Sequence, residues 1–68
     1  MTIIVNGEPH ELSAAMTVAE LVHRLGRNPD QPGTAIARNG DLVPRRLWRE
    51  TALDDGDAVE VVTAVGGG

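Results

Sequence analysis

The longest apolar run in the chain, residues 58–65 (Ala-Val-Glu-Val-Val-Thr-Ala-Val), comes last and passes straight into Gly66-Gly67-Gly68. Its length and β-branched content read as a strand. Its near-continuous hydrophobicity predicts a largely buried strand rather than a half-exposed one. Such a strand needs partners on both edges and cover over its faces, so the preceding residues must close around it. With 68 residues in all, that leaves few architectures and a single domain. A domain this small buries only about 60% of the surface its unfolded chain exposes. The chain has no Cys, Phe or Tyr and one Trp, so its core is aliphatic and has no disulfide or zinc-ribbon staple. Without a cysteine, it also cannot carry a persulfide or act as a thiol nucleophile itself.

The rest of the chain supplies short elements in order. Residues 2–6 are a β-branched strand, Asn6-Gly7 is a hairpin turn signal, and residues 8–12 return. Pro9 places that return strand at an edge. Residues 17–26 read as the main helix. Thr17 and Glu20 have capping-box spacing, and Met16 is set to staple onto Leu21. Val18, Leu21, Val22 and Leu25 form one apolar face, and Gly26 supplies a left-handed C-cap. Residues 27–33, with two Pro, are a loop. A second hairpin follows: residues 34–38, the Asn39-Gly40 turn, and residues 41–43, ended by Pro44. Residues 45–50 suggest a short helical turn carrying Trp48, and residues 54–57 an acidic turn.

Hairpin, helix, hairpin, helical turn and long final strand make an α+β order. Its simplest compact solution is a mixed sheet of about five strands with one helix on one face. The final strand lies centrally beside the first, which is the ubiquitin-like β-grasp arrangement. The expected division is residues 1–65 as the domain and residues 66–68 as a flexible glycine tail. Extended chain covers at most about 3.3–3.6 Å per residue, so Val65 to Gly68 can reach roughly 13 Å past the sheet. Glycine brings no side chain into a narrow channel. These residues suit delivery of the Gly68 carboxylate into another protein's active site, with Gly67 behind it and Val65 and Gly66 as the partner-binding approach.

At this point the chain resembles the sulfur carriers of thiamine thiazole biosynthesis, the ThiS type. The resemblance rests on Ile4-Val5-Asn6-Gly7-Glu8, on Thr17-Val18-Ala19-Glu20-Leu21, and on Asn39-Gly40-Asp41-Leu42-Val43-Pro44-Arg45 with Trp48. It continues through Leu53-Asp54-Asp55-Gly56-Asp57 and Val59-Glu60-Val61-Val62, and closes on Val65-Gly66-Gly67-Gly68. It implies that an adenylating enzyme of the ThiF type uses ATP to convert the Gly68 carboxylate to an acyl-adenylate. A persulfide donor then displaces AMP, leaving a thiocarboxylate for thiazole synthase of the ThiG type. The carrier itself would be a co-substrate, not an enzyme, with no bound cofactor and no metal, monomeric when free. The implied alternatives are the small subunit of molybdopterin synthase and a cysteine-biosynthesis carrier. A ubiquitin-like modifier would share the adenylation but end in an amide. A domain with an inert tail is the last alternative.

A net charge of −4, from ten acidic residues against six Arg and no Lys, argues against non-specific nucleic-acid binding and favours partners with basic surfaces. Residues 1–7 are too short and polar for a signal peptide, and no apolar run is long enough to span a membrane, so the expected location is cytoplasmic. His10 and His23, in different elements, read as surface residues. Asp54, Asp55 and Asp57 lack the spacing of a calcium loop and read as an acidic turn that steers a basic partner. Trp48 among Arg45, Arg46 and Arg49 suits either a docking patch or a ring that covers the aliphatic core, and the second fits a small core better. Val and Ile on the sheet face away from the helix are candidates for an exposed apolar docking surface.

Overall fold

Two Asn-Gly turns organise the sheet. In each, both central residues have positive φ: Asn6 (49°) with Gly7 (83°), and Asn39 (50°) with Gly40 (88°). This is the type I′ geometry, whose twist matches that of the flanking strands. The computed structural model describes residues 1–64. Strand β1 (Thr2–Val5) turns back into β2 (Glu8–Glu11), and β3 (Thr34–Arg38) into β4 (Asp41–Val43). The last strand, β5 (Ala58–Thr63), runs parallel to β1 and antiparallel to β3, giving the order β2-β1-β5-β3-β4. Pro9 lies on the edge strand β2, where a missing N–H costs nothing. This is the β-grasp topology expected from the element order.

Helix α1 (Val18–Arg24) has the full capping box, with the Glu20 N–H donating to Thr17 Oγ1 and the Thr17 N–H donating to Glu20 Oε1. The other two N–H groups of its first turn are also occupied. Val18 donates to the Thr51 carbonyl at 2.9 Å and Ala19 to the Trp48 carbonyl at 3.0 Å. The helix ends in a Schellman motif. The Gly26 N–H reaches the His23 carbonyl, the Arg27 N–H reaches the Val22 carbonyl, and Gly26 takes φ 85°. The short 3₁₀ helix η1 (Arg45–Leu47) leads into Trp48.

The core forms between the helix and one sheet face. It joins Ile3 and Val5 of β1, Leu12 just past β2, Val18, Ala19, Leu21 and Val22 of α1, Ile36 of β3, Trp48, Leu53, and Val59 of β5. Met16 and Leu25 pack at its margin.

The expected burial of residues 58–65 needs correction. Within β5 only Val59 is buried and Val61 is half-buried, whereas Ala58, Glu60 and Val62 are exposed, Val62 by 61%. One helix covers one face of the sheet, so residues alternate in and out even in the central strand. The apolar residues on its outer face stay in contact with water.

Candidate functional site

The expected reacting group is the Gly68 carboxylate, and what the fold shows is how strand β5 is held ahead of Val65 in the sequence. Val65, Gly66, Gly67 and Gly68 themselves lie outside the described residues.

At its start, β5 is fixed by a polar cluster that sequence reasoning missed. Asp57, only 6% exposed, accepts through Oδ2 from Arg38 Nε at 2.7 Å and from the Asp54 N–H at 2.8 Å. Its Oδ1 accepts from Asn39 Nδ2 at 2.9 Å. The Asn39 side chain also accepts from the Ala58 N–H, while Arg38 reaches on to Asp54 at 2.9 Å. Burial by itself pushes the Asp57 carboxyl up. The Asp54 N–H, the Asn39 amide and the Arg38 guanidinium together overcome it and hold the group below its ordinary value. The hydrogen bond to Asp57 in turn raises Arg38 above its ordinary value against the opposing effect of burial. Asp57 is therefore not a steering charge on an acidic turn, as the sequence suggested, but a satisfied internal anchor. Asp54 and Asp55 do stay exposed. A sequence signal for Asp57 is lacking, because its charged partner lies 19 residues away.

Further along, β3 holds one edge of β5 as far as the Thr34–Thr63 pair, and the Ala64 N–H donates to the Gly33 carbonyl. On the other edge β1 pairs only through Ile4–Ala58 and Val5–Val59 before turning away. There the Asn6 side chain takes over. Its Oδ1 accepts from the Val61 N–H at 2.8 Å, and its Nδ2 donates to the Val61 carbonyl at 3.1 Å.

The remaining candidates resolve simply. Trp48 is 2% exposed, donates Nε1–H to the Val43 carbonyl at 2.9 Å, and carries the Arg45 guanidinium 4.5 Å from its ring centre. It is a core cover with a cation over its ring rather than an open docking residue. His23 is exposed and His10 half-buried. Among the described residues no group of three His, Asp or Glu side chains is placed to hold a metal ion, and no helix is long and apolar enough to cross a membrane. The N–H groups at the start of α1 are already bonded, so that end offers no cradle for a phosphate. The sheet face away from α1 does expose Val62 and Leu42, the latter by 71%. Ala35 and Ala58 are also exposed there, with Ile4 and Ala37 half-buried beside them. The expected apolar surface is present.

A fold that presents one bare sheet face and leads its central strand into three glycines matches a known family along almost its whole length. The ThiS family model matches residues 3–68. The chain belongs to the ThiS family. The crystal structure of thiamine biosynthesis protein ThiS from Geobacter metallireducens superposes with a TM-score of 0.81 at 31% identity, covering all of both chains. Sulfur carrier protein ThiS of Escherichia coli (strain K12) is 34% identical over 68 residues, again the full length of both. A thiazole synthase of Paramagnetospirillum magneticum is 40% identical over the same 68 residues, which make up 20% of that protein. The chain thus spans a fifth of the length of that synthase. The ThiS fold accounts for the one-sided core and for the central place of β5.

Proposed function

We propose that this chain is the sulfur carrier of thiamine thiazole biosynthesis and acts through the Gly68 carboxylate. The observation that carries the reading is full-length similarity to a ThiS sulfur carrier, in a fold whose central strand ends at Thr63, two residues before Val65-Gly66-Gly67-Gly68 in the sequence. A carboxylate is a poor electrophile because its charge repels nucleophiles. Attack of its oxygen on the α-phosphorus of ATP, with loss of pyrophosphate, gives a neutral acyl carbon bearing AMP as leaving group. The terminal sulfur of a persulfide then attacks that carbon and AMP departs. A second thiol cleaves the resulting acyl disulfide, leaving a thiocarboxylate on Gly68 and a disulfide on the donor. The thiocarboxylate sulfur, softer and more nucleophilic than oxygen, is the form delivered to the thiazole-forming enzyme.

In this reading the carrier is a cytoplasmic co-substrate. ATP is bound by the adenylating enzyme of the ThiF type, and the acceptor is a thiazole synthase. The similarity of this chain to one-fifth of a thiazole synthase supports that last partner, because domains joined in one protein commonly work together. The open apolar face with Leu42 and Val62 gives such enzymes a surface to grip.

Intact mass after incubation with the adenylating enzyme, ATP and a sulfur donor tests the proposal. The expected result is a gain equal to exchange of one oxygen for one sulfur, localised to Gly68 by fragmentation. An unmodified terminus in the presence of active enzyme would overturn it.

A further inference from the structure

Beyond Val59, strand β5 has lost β1 as a backbone partner, because β1 ends in the Asn6-Gly7 turn. The last main-chain bond from that side is the Asn6 N–H to the Val59 carbonyl at 2.9 Å. Val61 is the next residue whose N–H and C=O point to this edge, and both are taken by one side chain. The Asn6 carboxamide accepts from one and donates to the other. It thereby stands in for the peptide group that β1 would have supplied had it continued, and it extends the two-sided support of β5 by two residues. Val61 lies four residues before Val65 and seven before Gly68.

Two independent demands fall on position 6. The turn needs a residue that tolerates φ of 49°, which favours Gly, Asn or Asp. The edge of β5 needs a donor and an acceptor on one short side chain. Asp lacks the donor, Gly lacks both, and only Asn meets both demands.

Resting on the carrier reading above, we propose that Asn6 is a positioning residue for sulfur loading. By clamping Val61 it adds a second edge to the one β3 already supplies, and the two together set the direction in which β5 leads toward the reacting terminus, so a docked carrier presents Gly68 to the adenylating site. The domain body and its open face dock the same way with or without the clamp. Loss of the clamp lowers the fraction of docked complexes with the carboxylate in reach, which reduces turnover at saturation rather than affinity. A merely structural role would act differently. It would thin the folded population and raise the apparent KM while leaving kcat intact.

The test is Asn6→Gly, which keeps the turn conformation and removes only the carboxamide, with Asn6→Asp as a second variant that keeps the acceptor alone. Amide exchange by NMR reads the clamp directly. The Val61 N–H should exchange about tenfold faster in Asn6→Gly, with that of Leu21 unchanged, given two lost exposed hydrogen bonds. Steady-state ATP–pyrophosphate exchange with a ThiF-type enzyme reads the consequence, and kcat should fall about fivefold at unchanged KM, with Asn6→Asp no better than Asn6→Gly. Unchanged protection of Val61 overturns the clamp. Fast exchange at Val61 with wild-type kcat, or a raised KM alone, overturns the positioning role. Failure of the wild-type chain to support any pyrophosphate exchange would instead count against the carrier reading. The Val61 measurement would still decide the clamp.

Discussion

Replacing Asp57 by Ala removes the anchor at the head of β5, and its cost can be worked from the contacts. One carboxylate accepts three hydrogen bonds, from Arg38, the Asp54 N–H and Asn39, at 2.7, 2.8 and 2.9 Å. A bond to a charged partner contributes about 1.5–3 kcal/mol and a neutral one about 1 kcal/mol. Arg38 is partly open to water and recovers some hydration when its partner is lost. The net loss is therefore about 3 kcal/mol, a large share of the 5–15 kcal/mol that roughly bounds small-domain stability. For a domain of this size that corresponds to a fall in Tm of roughly 12–24 °C. Urea and thermal melts at pH 7 measure it, and a change under about 4 °C would refute the reasoning. The pH dependence gives a second check. The Asp57 carboxyl is depressed in the folded state, so its stabilisation is complete above the ordinary carboxylate pKa and disappears as pH falls through the folded value. The gap between wild type and Asp57→Ala should stay constant at neutral pH and narrow below about pH 4.

Three further outcomes follow from the same structure. Leu21→Ala empties a site with no exposure and should cost about 2–5 kcal/mol, read from the urea midpoint, with an unchanged midpoint ruling out its core role. The corrected burial of β5 predicts that Val62→Thr changes stability by less than about 0.5 kcal/mol, whereas Val59→Thr, which buries an unpartnered hydroxyl, costs about 2 kcal/mol. Equal effects at the two positions would contradict the one-sided sheet. On the proposed carrier function, Gly67→Leu should leave the melting curve unchanged and suppress pyrophosphate exchange, because a side chain beside the Gly68 carboxylate would obstruct a narrow approach; undiminished exchange would refute that account.

What could be read from the sequence is what neighbouring residues decide together. Asn6-Gly7 and Asn39-Gly40 fixed both hairpins, and Thr17 with Glu20 fixed the helix start, because each signal spans at most a few residues. Trp48 was legible as a core cover because an aliphatic chain with one large ring has little else to do with it. The exposure of Val62 was not legible, since it depends on there being one covering helix rather than two. Nor were the roles of Asp57 and Asn6. Their partners, Arg38 and Val61, lie 19 and 55 residues away and meet them only in the assembled sheet. The expectation for Gly68 came from the terminal glycines and the family resemblance alone, and the way β5 is held ahead of them, by Asp57 and Asn6, was not legible.

Strand β5 also has a bearing on the order of assembly. It is the last of the described elements, yet it lies between the two hairpins and joins them. Before it arrives, β1 and β3 share no hydrogen-bonded edge, and Ile3 and Ile36 lack the Val59 side chain between them. Each hairpin can form early on its own local signal, but closure of the core waits for a contact across nearly the whole chain. Such long-range closure is entropically slow. It also makes folding report on the integrity of the last described strand. A chain cut short within β5 would expose two unpaired strand edges and an open core, the features that make a chain prone to aggregate.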